Sequence, residues 1–237
     1  MHKFFNFDRE PDFESGEILL IDKPKDWSSF DIVKKIRNLL STYLGKDKIK
    51  VGHAGTLDPL ATGLLIICTG KATKLIESIQ EGEKEYEAVF RLGAITPSYD
   101  METEISEEFD YSCITEEMII NTAKSMEGIS FQTPPIYSAI QINGKRAYEY
   151  ARKGKEIKLD KREINIPNIN IQKILIPYVN LIITCSKGTY VRSLANDFGK
   201  KLDNGAFLYY LRRLKSGNYS IDNAIEMKNF EEFLNKM

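Results

Sequence analysis

Histidine, cysteine and long apolar runs are scarce in this chain, and each shortage removes a class of function. The two histidines, His2 and His53, are too few for a histidine-rich metal centre. The three cysteines, Cys68, Cys113 and Cys185, are odd in number and form no Cys-x-x-Cys pair, so neither a disulfide framework nor a zinc ribbon is indicated. They read as reduced thiols, two of them in buried strands. No apolar stretch approaches the roughly 20 residues of a membrane span, the longest candidate being 64–68. The first residues set Phe4, Phe5 and Phe7 among acids, without the basic start and apolar core of a signal peptide. A cytoplasmic location is the default that these absences leave.

What is present is ordinary for a globular protein: 42% hydrophobic and 28% charged residues in a chain of 237, enough for one large domain or two small ones. The net charge of −1 conceals an asymmetry. Residues 81–140 hold 13 acids and 3 bases, whereas residues 141–215 hold 6 acids and 16 bases. A polyanion would meet the basic half, and solvated surface charge explains it equally well.

Along the chain, the apolar run 18–21 reads as a buried strand. Ser28 and Asp31 form a capping-box pattern, and Ile32, Val33, Ile36, Leu39, Leu40 and Tyr43 repeat at helical spacing as far as Gly45. Residues 64–68 read as a core strand and 72–80 as a short helix. Alternation over 84–93 predicts a strand with Tyr86, Ala88, Phe90 and Leu92 facing inward. Residues 96–110 read as an acidic loop and 115–127 as a helix. Pro134-Pro135 opens the basic half, with a strand over 137–142, a turn at Asn143-Gly144 and a basic helix over 145–153. Two strands, 164–176 interrupted by Pro167 and 179–185, precede a helix over 190–202, a strand over 205–214 and a closing helix over 229–236. Grouped strands without regular β-α alternation predict an α+β fold with a mixed, largely antiparallel sheet flanked by helices.

The stretch most suggestive of chemistry is Gly52-His53-Ala54-Gly55-Thr56-Leu57-Asp58-Pro59-Leu60-Ala61-Thr62-Gly63. Its glycines permit positive φ and close backbone approach, and Pro59 biases Asp58 away from helical conformation. A carboxylate on a constrained loop follows, although Gly, Pro and Asp also build plain turns. Gly70-Lys71-Ala72-Thr73 is not a nucleotide-binding loop, because the glycine required five residues earlier is Leu65. Gly52-His53-Ala54-Gly55 has the GxxG form of a KH loop, which should join two helices, and here a strand follows.

The 52–63 stretch resembles the catalytic motif of the TruB family of tRNA pseudouridine-55 synthases, with Asp58 at the catalytic aspartate. Further segments agree in order: Asp22-Lys23-Pro24, Lys84-Glu85-Tyr86 leading to Leu92-Gly93, and Asp100. Next come Pro134-Pro135-Ile136-Tyr137-Ser138-Ala139 with Gly144-Lys145-Arg146-Ala147-Tyr148, then Ser186-Lys187-Gly188-Thr189-Tyr190-Val191-Arg192, and Leu211-Arg212-Arg213-Leu214. The resemblance implies one pseudouridine synthase catalytic domain over 1–237, with an RNA-gripping thumb at about 131–156 and no C-terminal PUA domain. It implies that a tRNA T-arm uridine is flipped out and isomerised without cofactor or metal. It implies a monomer needing no obligatory protein partner and no membrane.

By the same resemblance Asp58 is the nucleophile, Tyr86 stacks on the extracted base, and Arg192 keeps Asp58 ionised against the effect of burial. His53, Leu211, Lys23, Gly55, Thr56 and Asp100 are assigned to the substrate pocket. Lys145, Arg146, Arg152, Lys153, Arg212 and Arg213 are assigned to RNA phosphates. Two departures occur where the family has Gly and then Thr: this chain has Asp26, which tolerates left-handed backbone, and Ser28, which retains a capping hydroxyl. The alternatives are an RNA-binding or tRNA-folding protein without catalysis, and a pseudouridine synthase acting on another RNA stem-loop.

Overall fold

A computed structural model describes residues 4–6, 9–138, 140–142, 144–151, 153–155, 157 and 159–236. The chain divides into two compact units, Met1–Tyr86 with Leu211–Met237, and Glu87–Tyr210. The boundaries fall inside two strands, Lys84–Leu92 and Ala206–Ser216.

The first unit is built on the strand Ile18–Lys23, antiparallel to Thr62–Thr69 from Ile18↔Cys68 to Lys23↔Gly63. Both strands are β-branched and leucine runs, and Leu19, Ile21 and 64–68 are all fully buried, as a strand covered on both faces requires. Ile225–Glu226 adds to the first in parallel, and Arg212 and Arg213 pair in parallel with Thr62 and Gly63. The helix Ser29–Leu44 starts and stops where the sequence signals it. Ser28 Oγ accepts from Asp31 N, the Asp31 carboxylate accepts from Ser28 N at 2.9 Å, and Gly45 closes the helix in left-handed backbone at φ 61°. Asp26, standing in place of glycine, adopts φ 66°, the left-handed conformation that aspartate tolerates better than most side chains. The closing helix Met227–Lys236 buries Phe230 edge-on against Phe13.

In the second unit, Asn168–Leu175 and Tyr178–Cys185 form an antiparallel pair whose inward residues Val179, Leu181, Ile183 and Cys185 are buried. Pro167 separates Asn168–Leu175 from Arg162–Ile166, which pairs with Gly128–Gln132. The helices Glu116–Ser125, capped by Thr115, and Val191–Lys201 complete the unit. The architecture is the mixed, mostly antiparallel sheet with helices that the element pattern predicts.

Three local expectations are corrected. Residues 72–80 are a 3-10 turn, Gly70–Leu75, followed by a short α-helix, Ile76–Gln80. The 145–153 helix begins later, at Ala147–Ala151, because Lys145–Arg146 pairs with Gln141–Ile142 across a tight turn in which Gly144 takes φ 79°. Val51–His53 and Gly128–Gln132 are strands that periodicity did not show. Ala139, Asn143 and Arg152 lie outside the described residues. Among the described residues, no helix is long and apolar enough to cross a membrane.

Candidate active site

In the first unit, Asp58 lies on residues 54–61, between Val51–His53 and Thr62–Thr69, and is half-buried. The main chain on either side of it is anchored. Ala54 N donates to Ile66 O at 2.8 Å, and Ser29 Oγ both donates to Leu57 O and accepts from Leu57 N. Beyond Asp58, Ala61 N turns back to Asp58 O, and Asp26 N donates to Pro59 O at 2.9 Å.

Two internal cations complete the brace. Lys23 is 0% exposed, and its ammonium donates to the carbonyls of Pro24, Trp27 and Pro59 at 2.9, 2.6 and 3.2 Å. Arg213 is 1% exposed; its Nε donates to Leu64 O at 2.7 Å, and its terminal nitrogens reach Gly55 O at 3.1 Å and Thr56 O at 3.5 Å. One cation grips the chain before Asp58 and the other after it. Buried carbonyls need such donors.

These positions correct two sequence expectations. Arg213 cannot serve a phosphate, because its guanidinium is enclosed and engaged with main-chain oxygens. Lys23 supports the loop from behind, all three ammonium hydrogens being matched by carbonyls, and is not a pocket-lining side chain. Arg212, assigned to phosphates with Arg213, is partly exposed and forms a two-point ion pair with Asp22, at 3.0 and 2.6 Å.

Glycine is required at Gly63: its φ is 98°, and a Cβ there would sit 2.4 Å from Arg213 O and 2.8 Å from Arg213 N. At Gly52 a Cβ would meet only the Ile76 Cδ1 methyl, at 2.8 Å. Strand and loop therefore close on the Arg213 backbone where the chain leaves the loop.

Burial pushes the Lys23 ammonium down to about 8; Asp58 and Asp26 oppose the shift, and Arg213 adds to it. Burial also lowers His53, with Arg213 acting in the same direction and the Gly55 backbone against it. His53 is half-buried, and Nδ1 has no hydrogen-bond partner among the described residues. Gly55 is half-buried and Thr56 exposed. Tyr86 takes its inward position in the alternating strand and is buried, as is Leu211.

In the second unit Arg192 is 3% exposed in the first turn of Val191–Lys201. Its Nε lies 3.6 Å from Asp100 Oδ2, and Nη1 donates to Ser98 O at 3.4 Å. Asp100 is itself buried and accepts from Glu102 N at 2.9 Å. Thr96 Oγ1 and Ser98 Oγ both donate to Asp100 O, which fixes the turn. The resemblance implied that Arg192 acts on Asp58; the ion pair described for it is with Asp100, about 90 residues away in sequence. Lys145, Arg146 and Lys153 are exposed.

Residues 41–191 match the model of the TruB family pseudouridylate synthase, N terminal domain. The chain is 50% identical to the tRNA pseudouridine synthase B of Flavobacterium johnsoniae, over 94% of this chain and 98% of that protein. It is 45% identical to the protein of that name from Clostridium tetani, over 91% of this chain and 72% of the relative. In structure it resembles a chain of a Cbf5-Nop10-Gar1 complex, with a TM-score of 0.70 and 26% identity. That match covers 93% of this chain but spans only about half, 54%, of the other. A family match over most of the length, joined to relatives of this identity, places the chain in the TruB family of pseudouridylate synthases.

Proposed function

We propose that this protein isomerises uridine to pseudouridine in tRNA, at position 55 of the T-loop, with Asp58 as the nucleophile. The observation that carries the reading is the brace around Asp58: a half-buried carboxylate on a loop whose main chain is held by Lys23, Ser29 and Arg213. A positioned nucleophile needs such rigidity, since small misplacement costs rate steeply. The names of the relatives supply the substrate class.

The reaction breaks the bond from uracil N1 to C1′ and forms one from C5 to C1′. The C5 proton leaves, N1 gains a proton, and there is no net oxidation. A carboxylate adding to C1′ or to C6 holds one fragment while the base reorients. Extracting the base from the T-arm costs a few kcal/mol, and stacking on Tyr86 returns roughly 1–3 kcal/mol. By the motif match Arg192 belongs to the catalytic set, and its contacts with Asp100 and Ser98 limit the rotamers it can adopt. His53, Leu211, Gly55 and Thr56 line the RNA pocket. Lys145, Arg146, Arg152 and Lys153 take phosphates and so position the RNA without reading it. The catalytic domain with its 131–156 thumb acts as a cytoplasmic monomer, without a cofactor.

The test is to map pseudouridine in tRNA, in an isolated T-arm and in an unrelated hairpin after incubation with the protein. Stoichiometric conversion at one T-loop uridine, with the hairpin left unmodified, is expected. Tight RNA binding without pseudouridine would favour the RNA-binding alternative, and equal rates on the hairpin would refute the T-loop assignment.

A further inference from the structure

Within the second unit, the main chain just before Arg192 is gripped by a side chain about 60 residues away in sequence. Gln132 ends the strand Gly128–Gln132 and is 2% exposed, on the face shared with the buried Ile164 and Ile166 of the paired strand. A buried carboxamide has to find partners, and both of its ends find them at one residue. Oε1 accepts from Tyr190 N at 2.8 Å, and Nε2 donates to Tyr190 O at 3.1 Å. The reverse orientation of the amide would set donor against donor and acceptor against acceptor. One residue further on, Thr133 O accepts from Ser193 Oγ at 2.9 Å.

These bonds frame Arg192. Tyr190 is the N-cap of the helix Val191–Lys201, and its own side chain makes no capping bond. Its carbonyl also accepts from Leu194 N at 3.1 Å, the first bond of the helix. Gln132 therefore holds the residue from which the helix starts, and the Ser193 bond holds its first turn. Arg192 lies between them. Its contacts with Ser98 O and Asp100 Oδ2, at 3.4 and 3.6 Å, are longer than the three bonds that fix the chain on either side. Polar contacts weaken at such lengths, so the placement of the helix start weighs more than these two contacts. We propose that Gln132 is a positioning residue for the reaction, which sets the start of this helix and through it the place of the Arg192 guanidinium.

The inference rests on the isomerase reading, which conversion by the parent protein tests by itself. Gln132→Met keeps the length of the side chain and removes both polar ends. Gln132→Glu, when ionised, keeps the acceptor for Tyr190 N but sets a second acceptor against Tyr190 O. Urea midpoints establish that each variant is folded under the assay conditions. Single-turnover conversion of a T-arm RNA at saturating protein should then fall about tenfold or more in both, with the dissociation constant for the RNA within about twofold of the parent. A purely stabilising role would leave the rate of a folded, saturated protein unchanged. In an Arg192→Lys background, Gln132→Met should slow the reaction by less than about twofold, because residues that act through one another are not additive. Hydrogen exchange reads the same tie without turnover: amides of 190–194 should exchange about fivefold faster or more in Gln132→Met, the size of one net hydrogen bond. The parent's rate in both folded variants, a full tenfold loss in the Arg192→Lys background, or unchanged exchange would each overturn the proposal.

Discussion

Replacing Arg213 by methionine tests the brace directly. Methionine keeps the length and apolar stem of the side chain but removes every donor. Two firm hydrogen bonds are lost, to Leu64 O at 2.7 Å and Gly55 O at 3.1 Å; the third, at 3.5 Å to Thr56 O, is too long to count for much. Bonds from a charged donor contribute about 1.5–3 kcal/mol each, so the gross loss is about 3–6 kcal/mol. Removing a buried charge returns part of this, and a net loss of about 3 kcal/mol is expected. A domain of ordinary stability, about 5–15 kcal/mol, survives that. Trp27, the single tryptophan, lies in the first unit, so its fluorescence during urea unfolding reports on the unit that contains the loop. Released from Gly55 and Thr56, the loop should carry Asp58 out of position and slow single-turnover conversion by about 100-fold. Arg213→Lys, which keeps the charge but reaches fewer carbonyls, should fall between the two. A stability loss under about 1 kcal/mol with unchanged turnover would refute the bracing role.

Two further outcomes follow from the same site. Lys23 titrates at about 8 in the folded chain and near its ordinary 10.5 when unfolded. Between those values the unfolded chain binds the extra proton, so the contribution of this group to stability rises with pH across the window. Activity should fall through about pH 8 as the charge near Asp58 is lost, and Lys23→Met should abolish that limb of the pH–rate profile; a limb unchanged in the variant would contradict the assignment. Gly63→Ala should cost more than about 2 kcal/mol, since left-handed backbone alone costs about 1–2 kcal/mol in a residue bearing a Cβ and the Arg213 main chain cannot move aside. Gly52→Ala should cost less than about 1 kcal/mol because the Ile76 methyl can rotate away, and urea midpoints in the reverse order would count against this reading.

Local signals carried much of the fold. The Ser28 and Asp31 capping box, the Gly45 stop and the alternation through Tyr86 are each specified by neighbours in sequence, and each took the expected form. The strands that escaped notice had no usable period: Val51–His53 is three residues long, and in Gly128–Gln132 three successive side chains are exposed. The lysine and arginine errors have another origin. Such side chains are usually at the surface, and a motif does not reveal that Lys23 bonds its own turn and Pro59, or that Arg213 bonds Gly55 and Leu64. The Arg192–Asp100 pair was hidden for the same reason. The resemblance supplied the candidate residues, and the structure shows that Lys23 and Arg213 among them hold the loop.

The central claim concerns Asp58, and the most direct measurement is tritium release from a T-arm RNA labelled at uridine C5, comparing the wild-type protein with Asp58→Asn. The substitution preserves size and, since Asp58 sits half-buried at a turn secured by main-chain bonds, should leave folding and RNA affinity nearly unchanged. Wild-type protein should release tritium stoichiometrically with the RNA, and the variant should release none above the uncatalysed background. Sustained turnover by Asp58→Asn would show that the nucleophile lies elsewhere.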